Sequence, residues 1–579
     1  MTASPRRSAS AASRTAAARS ATSPSRAVSR LAQTSDPTHV LTPASDHAAL
    51  VAGFSWDIPD RYNIAADVCD RWAAPEPDRT AILEVSEAGA AAPVSYGRLR
   101  EDSSRLANAL AARGIGPGDR IAVLLPQSAA VVVAHLAAYR LGAIALPLAG
   151  LFGAEALRYR LTDSGARAVV TNAAGLAKLE PIRNALPDLF VVVSVDGPSD
   201  GAESYSELLA EASPDFATHD TGPDDPALMV YTSGTTGLAK GALHGHRVLL
   251  GHLPGWAMMH DFPAEGGGLM WTPSDWAWAG GLLNVLMPSL RRGMPVVARP
   301  LGRFEPEAAF RLIADLRVTN AFLPPTALRM LRGVARPRET FDLSALRNIA
   351  SAGEALGPET FAWARDALGL TIGEAYGQTE CNLVLASCAR AGVARPGSTG
   401  MPVPGHRVAI LRDDGSETAV DEAGEIAVKA PDPVLFLGYW NQPEATAKKF
   451  RDGWWMTGDT ARRDADGYVH FVGRDDDLIT SAAYRIGPTE IEDCLLRHPA
   501  VALAAAVGKP DALRTEIVKA FVVLREGFVA SDDLAAEIQA FARKNLSAHE
   551  YPREVAFLDA LPMTTTGKII RRQLRDGTA

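Results

Sequence analysis

Between Arg120 and Leu148 the chain alternates fully apolar runs with helix-like ones: RIAVLL at 120–125, then SAAVVVAHLAAYRLGA, then IALPL at 144–148. Short apolar runs without period-two alternation suit strands covered on both faces, and parallel strands need crossover helices to join them. The alternation returns in GMPVVAR, in VTNAFLPP followed by TALRMLRGV, and in LRNIASAGE followed by PETFAWARDAL. It predicts an α/β fold, with a large N-terminal domain of layered βα sheets that are mostly parallel. At 579 residues the chain is too long for one ordinary domain.

Near Gly473 the character changes. GRDDDLITSAAYRIGPTEIEDCLLRHPAV reads as strand, tight turn and a helix opened by Pro488, with Glu490 and Glu492 near the positive end of its dipole. TEIVKAFVVL and REVAFLD follow as strands, flanking a helix over SDDLAAEIQAFARKNL that Ser531 caps. The expected division is a leader over 1–35, a large domain over 36–475 and a small mobile α+β domain over 476–579.

The leader is Ala, Ser and Arg with no acidic residue before Asp36. It cannot bury enough apolar surface to fold alone, and a disordered leader is preferred over a transit peptide of similar makeup. A net charge of -9 argues against a dedicated nucleic-acid binder. Cys69, Cys381, Cys388 and Cys494 lie far apart without a CxxC pair, so neither a disulfide framework nor a zinc site is expected. The longest apolar stretch, about 129–157, is interrupted by His135, Arg140 and Pro147, so no membrane span is expected. The expected location is cytoplasmic, with organellar import the alternative.

The chemistry begins at YTSGTTGLAKG, residues 231–241, directly after the apolar segment ALMV. Gly234 and Gly237 permit unusual dihedrals; Thr232, Ser233, Thr235 and Thr236 supply hydroxyl and backbone donors, and Lys240 adds a mobile positive charge. A loop of this kind is suited to wrap polyphosphate. Its spacing is not GxxxxGK[ST], so a P-loop nucleoside triphosphatase is not implied.

This string resembles the phosphate loop of the AMP-forming adenylating enzymes, among them acyl-CoA synthetases, peptide-synthetase adenylation domains and firefly luciferase. Further motifs recur in that family's order: SAGEAL (351–356), EAYGQTE (374–380), WWMTGDTARRDADGY (454–468), GRDDDLITSAAYRIGPTEIE (473–492) and PMTTTGKIIRR (562–572). The resemblance runs from about Tyr62 to Arg572 and looks closest to medium-chain acyl-CoA synthetases. It implies attack of a substrate carboxylate on the α-phosphate of ATP, then transfer of the acyl group to CoA with release of AMP. The first step needs charge neutralisation rather than a general base, because a carboxylate is already a nucleophile.

Residue by residue, the resemblance implies that Thr232 to Lys240 hold the β- and γ-phosphates. Gly353, Glu354 and Ala355 would flank the adenine, with Tyr376 stacked on it. Thr379 would contact phosphate and Glu380 would bind Mg²⁺. Asp459 would accept the ribose hydroxyls beside Arg474, and Lys568 would reach the α-phosphate during adenylation.

For the thioester step, the small domain would rotate about Asp476 and present Ala482, Ala483, Tyr484 and Arg485 to the pantetheine arm of CoA. Ala483 replaces the glycine usual in this triplet, which puts a methyl group in the tunnel and keeps open an enzyme that loads a carrier-protein phosphopantetheine instead. A non-catalytic nucleotide-binding regulator is the third reading. PMTTTGK also matches the context in which related bacterial synthetases are acetylated, so a lysine acetyltransferase acting on Lys568 is an implied partner.

The acid is expected to be short- to medium-chain or aromatic. Gly377 stands where acetate-specific members carry an indole, Trp278 would form a wall of the acyl pocket, and Gly280 would leave room. Core packing is the competing reading of these tryptophans.

Overall fold

The computed structural model describes residues 41–232, 239–300, 302–474, 477–481, 484–511, 515–546, 550–563 and 568–577. Three sheets precede residue 475 and a fourth follows it, in line with the α/β expectation. In an eight-stranded sheet, Arg120–Leu124 is flanked in parallel by Ile144–Pro147 and Ala168–Thr171, and Val191–Ser194 and Pro226–Thr232 extend it in parallel on either side. Lys240–Gly245 then folds back antiparallel on Pro226–Thr232, pairing Thr232 with Lys240. The predicted polyphosphate loop therefore joins the ends of two hydrogen-bonded strands, but residues 233–238 lie outside the described residues.

A nine-stranded sheet carries the other half of the site. Met270–Trp271, Asn320–Phe322, Asn348–Ala352 and Gly373–Gln378 run parallel, and Asn382–Ala386 closes it as an antiparallel hairpin partner. The helices between strands show why the sequence builds this way. Ala129–Leu141 is buried from Val131 onward and ends at Gly142, whose φ of 68° is left-handed. Val248–Met259 is buried along its whole length and holds Pro254 inside it. Such helices pack between layers rather than against water.

A smaller antiparallel sheet places Trp454–Arg463 against Val469–Arg474 and pairs Asp459 with Arg474. The last sheet draws only on strands from Ile479 onward; Thr515–Leu524 pairs with Val501–Asp511 in a long hairpin at one edge, and Glu554–Phe557 adds to it in parallel. Ser531 caps the helix Asp532–Asn545 by accepting from Leu534 N. All four cysteines are buried and unpaired. Among the described residues, no helix is long and apolar enough to cross a membrane.

Candidate active site

The carboxyl ends of parallel strands converge where such sheets bind ligands. Asn348–Ala352 delivers Gly353, Glu354 and Ala355, and Gly373–Gln378 delivers Tyr376 and Gly377, with Thr379 and Glu380 in the following turn. Gly353 has a φ of 103°, a conformation that strains any side chain. Glu354 accepts from Arg329 Nη1 at 3.1 Å and from Thr326 Oγ1 at 3.3 Å, and Arg329 Nη2 donates to Ala355 O at 3.1 Å. Sequence reasoning missed Thr326 and Arg329. Their signal was a polar pair three apart, on one face of a helix otherwise read only as a crossover.

Asp459 is 4% exposed. Its Oδ2 accepts from Tyr376 Oη at 2.7 Å and from Gln378 Nε2 at 2.6 Å. Its Oδ1 is buried and accepts no hydrogen bond from the described residues, while Arg474 Nε stands 3.9 Å away. A buried carboxylate oxygen without a donor is costly unless a ligand supplies one, so this atom fits a ligand hydroxyl. Tyr376 is 8% exposed, and burial together with the Asp459 charge raises its pKa well above the ordinary phenol value. Its ring lies 6.1 Å from that of Phe471, tilted by 34°.

Glu380 is 9% exposed, and its Oε1 accepts from Tyr439 Oη at 2.6 Å. Lys240 Nζ lies 4.9 Å from the centre of the Tyr439 ring, so one tyrosine links the lysine of the polyphosphate loop to the carboxylate. Tyr439 comes from a two-residue strand, Gly438–Tyr439, paired with Lys240–Gly245. It too was missed, and only its partner strand reveals it. His244, His246 and His260 are buried, and burial lowers their pKa values to about 3, 4 and 4. At neutral pH they are uncharged, and His260 Nε2 lies 3.2 Å from Asn284 O, an internal contact.

In the acyl segment, Trp278 is half-buried and meets Phe152 edge to face at 5.6 Å. A Cβ on Gly280 would lie 3.3 Å from the Phe322 ring, and one on Gly377 would lie 1.1 Å from Asn382 O. Gly377 thus has a backbone reason to be glycine, since it sits at the irregularity where its hairpin closes on Asn382–Ala386.

Lys568 is exposed and precedes the helix Arg571–Arg575. Arg571 Nη2 donates to Glu492 at 2.7 and 2.8 Å, which ties this segment to the helix Pro488–Leu495. That helix faces the loop after Asn348–Ala352: a Cβ on Gly357 would meet Asp493 Oδ1 at 3.0 Å, and Arg497 Nε is 3.7 Å from Glu359. Burial pushes the Asp493 carboxyl up to about 6. Beneath the loop, burial pushes Glu374 up to about 8, although its Oε1 accepts from Leu356 N at 3.2 Å. Ser233, Gly234, Thr235, Thr236, Gly237, Asp476, Ala482 and Ala483 lie outside the described residues, and of Tyr484 and Arg485 only the backbone is described, in the strand Tyr484–Ile486.

Residues 69–440 match the model of the AMP-binding enzyme family and residues 490–568 that of the AMP-binding enzyme C-terminal domain. The acetyl-coenzyme A synthetase of Bacillus subtilis (strain 168) is 35% identical, over 89% of this chain and 90% of that protein. The human mitochondrial acyl-coenzyme A synthetase ACSM2B is 32% identical, over 90% of this chain and 91% of that one. Among solved structures, the anthranilate CoA ligase AuaEII in complex with anthranoyl-AMP superposes with a TM-score of 0.83 at 26% identity, over 90% of this chain and 98% of that one. The chain belongs to the AMP-binding enzyme family and is an AMP-forming acyl-CoA synthetase.

Proposed function

We propose that this acid:CoA ligase acts on a short- to medium-chain or aromatic monocarboxylate, with Asp459 on the ribose, Glu354 and Ala355 beside the base and Lys240 on the departing phosphates. The observation that carries the site assignment is Asp459 Oδ1, buried and without a donor among the described residues, in register with Arg474 and one hydrogen bond from Tyr376. The acid's carboxylate oxygen forms a bond to the α-phosphorus of ATP, the bond to the β-phosphate oxygen breaks, and pyrophosphate leaves with its charge. The CoA thiol then loses its proton and attacks the acyl carbonyl, and AMP departs.

Glu380 suits Mg²⁺, a hard cation held by one or two carboxylates together with substrate phosphates; Tyr439 occupies only Oε1. When bound, the ion would neutralise phosphate charge. Lys568 would serve adenylation from a small domain beginning at Asp476, and rotation of that domain would bring residues 482–485 in for the thioester step. Acetylation of Lys568 would remove the charge, and a cytoplasmic site of action fits the same reading.

The chain-length reading rests on Trp278, half-buried against Phe152, and acetate remains the reference substrate because one relative carries that name. The test is AMP formation with acids from acetate to octanoate plus benzoate, each with and without CoA. CoA-dependent turnover that peaks beyond acetate supports the proposal. A maximum at acetate overturns the substrate class. Lys568→Ala should lose adenylation yet still transfer a supplied acyl-adenylate to CoA; equal loss of both steps would remove Lys568 from its proposed role.

A further inference from the structure

Beside the polyphosphate loop lies a groove of about 660 Å³ whose walls include Lys240, Asn441, Gln442, Glu444, Lys448 and Lys449. Among the described residues none of its three lysines forms an ion pair, and Glu444 is the one carboxylate in the lining. Lys449 also lines the groove, and its Nζ donates to Thr457 O at 3.3 Å and lies 5.9 Å from the centre of the Trp455 ring. That contact sets it against the strand Trp454–Arg463, which carries Asp459. Lys240 is shared with the site already described, and Lys448 is exposed.

Three cations with one opposing charge in a concave surface focus a positive potential, and Lys240 is one of the three. We propose that this groove is an outer diphosphate subsite that takes the leaving pyrophosphate from Lys240 and passes it to Lys448 and Lys449 on its way to solvent. The proposal rests on the adenylation reading, since that reaction makes the diphosphate. CoA also carries a diphosphate, so the chemistry alone admits both ligands. The continuity with Lys240 favours pyrophosphate.

Lys448 is exposed and outside every strand and helix, so its substitution spares the fold. In the full chain, with ATP, acid and CoA, inhibition by added inorganic pyrophosphate should weaken about fivefold in Lys448→Gln and further in Lys448→Glu, with the same order in the KM for pyrophosphate during ATP exchange. An unchanged inhibition constant in both variants overturns the proposal. So does a rise confined to the KM for CoA, which would give the groove to the CoA diphosphate, and so does an equal rise in the KM for ATP, which would place Lys448 on the bound triphosphate. Calorimetric titration of inorganic pyrophosphate into the wild type and both variants, without acid or CoA, reads the groove even if no acid supports turnover. Failure of the ligase reading is thereby separated from failure of the subsite.

Discussion

Tyr439 donates its phenolic hydroxyl to Glu380 Oε1 at 2.6 Å, and the same ring lies under Lys240 Nζ at 4.9 Å. One side chain thus aims a carboxylate and steadies a cation on the two sides of the expected triphosphate. Tyr439→Phe keeps the ring and removes the donor, which leaves a mostly buried carboxylate short of one partner at a cost of about 1–3 kcal/mol. The Mg²⁺ concentration for half-maximal AMP formation should shift several-fold while the KM for ATP at saturating Mg²⁺ moves little. Tyr439→Leu removes the ring as well and should raise the KM for ATP. Superimposable Mg²⁺ titrations of the wild type and Tyr439→Phe would refute the aiming role.

Asp459 holds two donors on Oδ2 and presents Oδ1 without one. Under the ribose assignment, Asp459→Ala loses a charge-assisted hydrogen bond of about 1.5–3 kcal/mol, so the KM for ATP should rise about 10- to 150-fold. The KM for the acid should stay within a few-fold. A comparable rise for acid and ATP would instead mean that the variant has disordered the site through Tyr376 and Gln378.

Glu374 gives a pH dependence of stability with a definite sign. Its pKa is raised by burial from 4.5 to about 8, so between those values the folded chain keeps a proton that the unfolded chain releases. The Glu374 contribution to stability is then highest below pH 4.5, falls by at most about 1.4 kcal/mol per unit as pH rises toward 8, and falls no further above it. Glu374→Gln removes this term. The melting temperature of the variant relative to the wild type should be near zero or negative at pH 5 and should climb steadily to pH 8. A difference independent of pH would show that Glu374 is ionised throughout.

What the sequence made legible and what it hid divide along physical lines. Buried parallel strands write themselves as apolar runs, so Arg120–Leu124 and Ile144–Pro147 were readable, as was the βα alternation that places Gly353 and Tyr376 at strand ends. Ordered motifs likewise carried the family. Tyr439, Arg329 and Arg571 were not readable, because each acts through a partner distant in sequence: Tyr439 on Glu380, Arg329 on Glu354 and Arg571 on Glu492. No local period encodes such a contact. Gly377 poses the opposite problem, where a residue read for the space beside it also meets a backbone approach behind it.

That last conflict can be decided. An ideal Cβ on Gly377 would sit 1.1 Å from Asn382 O, 2.2 Å from Asn382 C and 3.0 Å from Leu383 N, all backbone atoms of the hairpin partner. Backbone cannot swing aside as a side-chain tip can, so even alanine must displace the turn that carries Thr379 and Glu380, at about 1–3 kcal/mol or more. If Gly377 mattered only as open space in the acyl pocket, Gly377→Ala would lower turnover of the longest acids and spare acetate. The backbone account predicts something else: AMP formation falls by a similar factor for acetate, butyrate, octanoate and benzoate, and the melting temperature drops with it. Turnover across that series, set beside the melting curve, distinguishes a filled pocket from a moved turn. A loss that grows with chain length at unchanged melting temperature would restore Gly377 to the pocket floor.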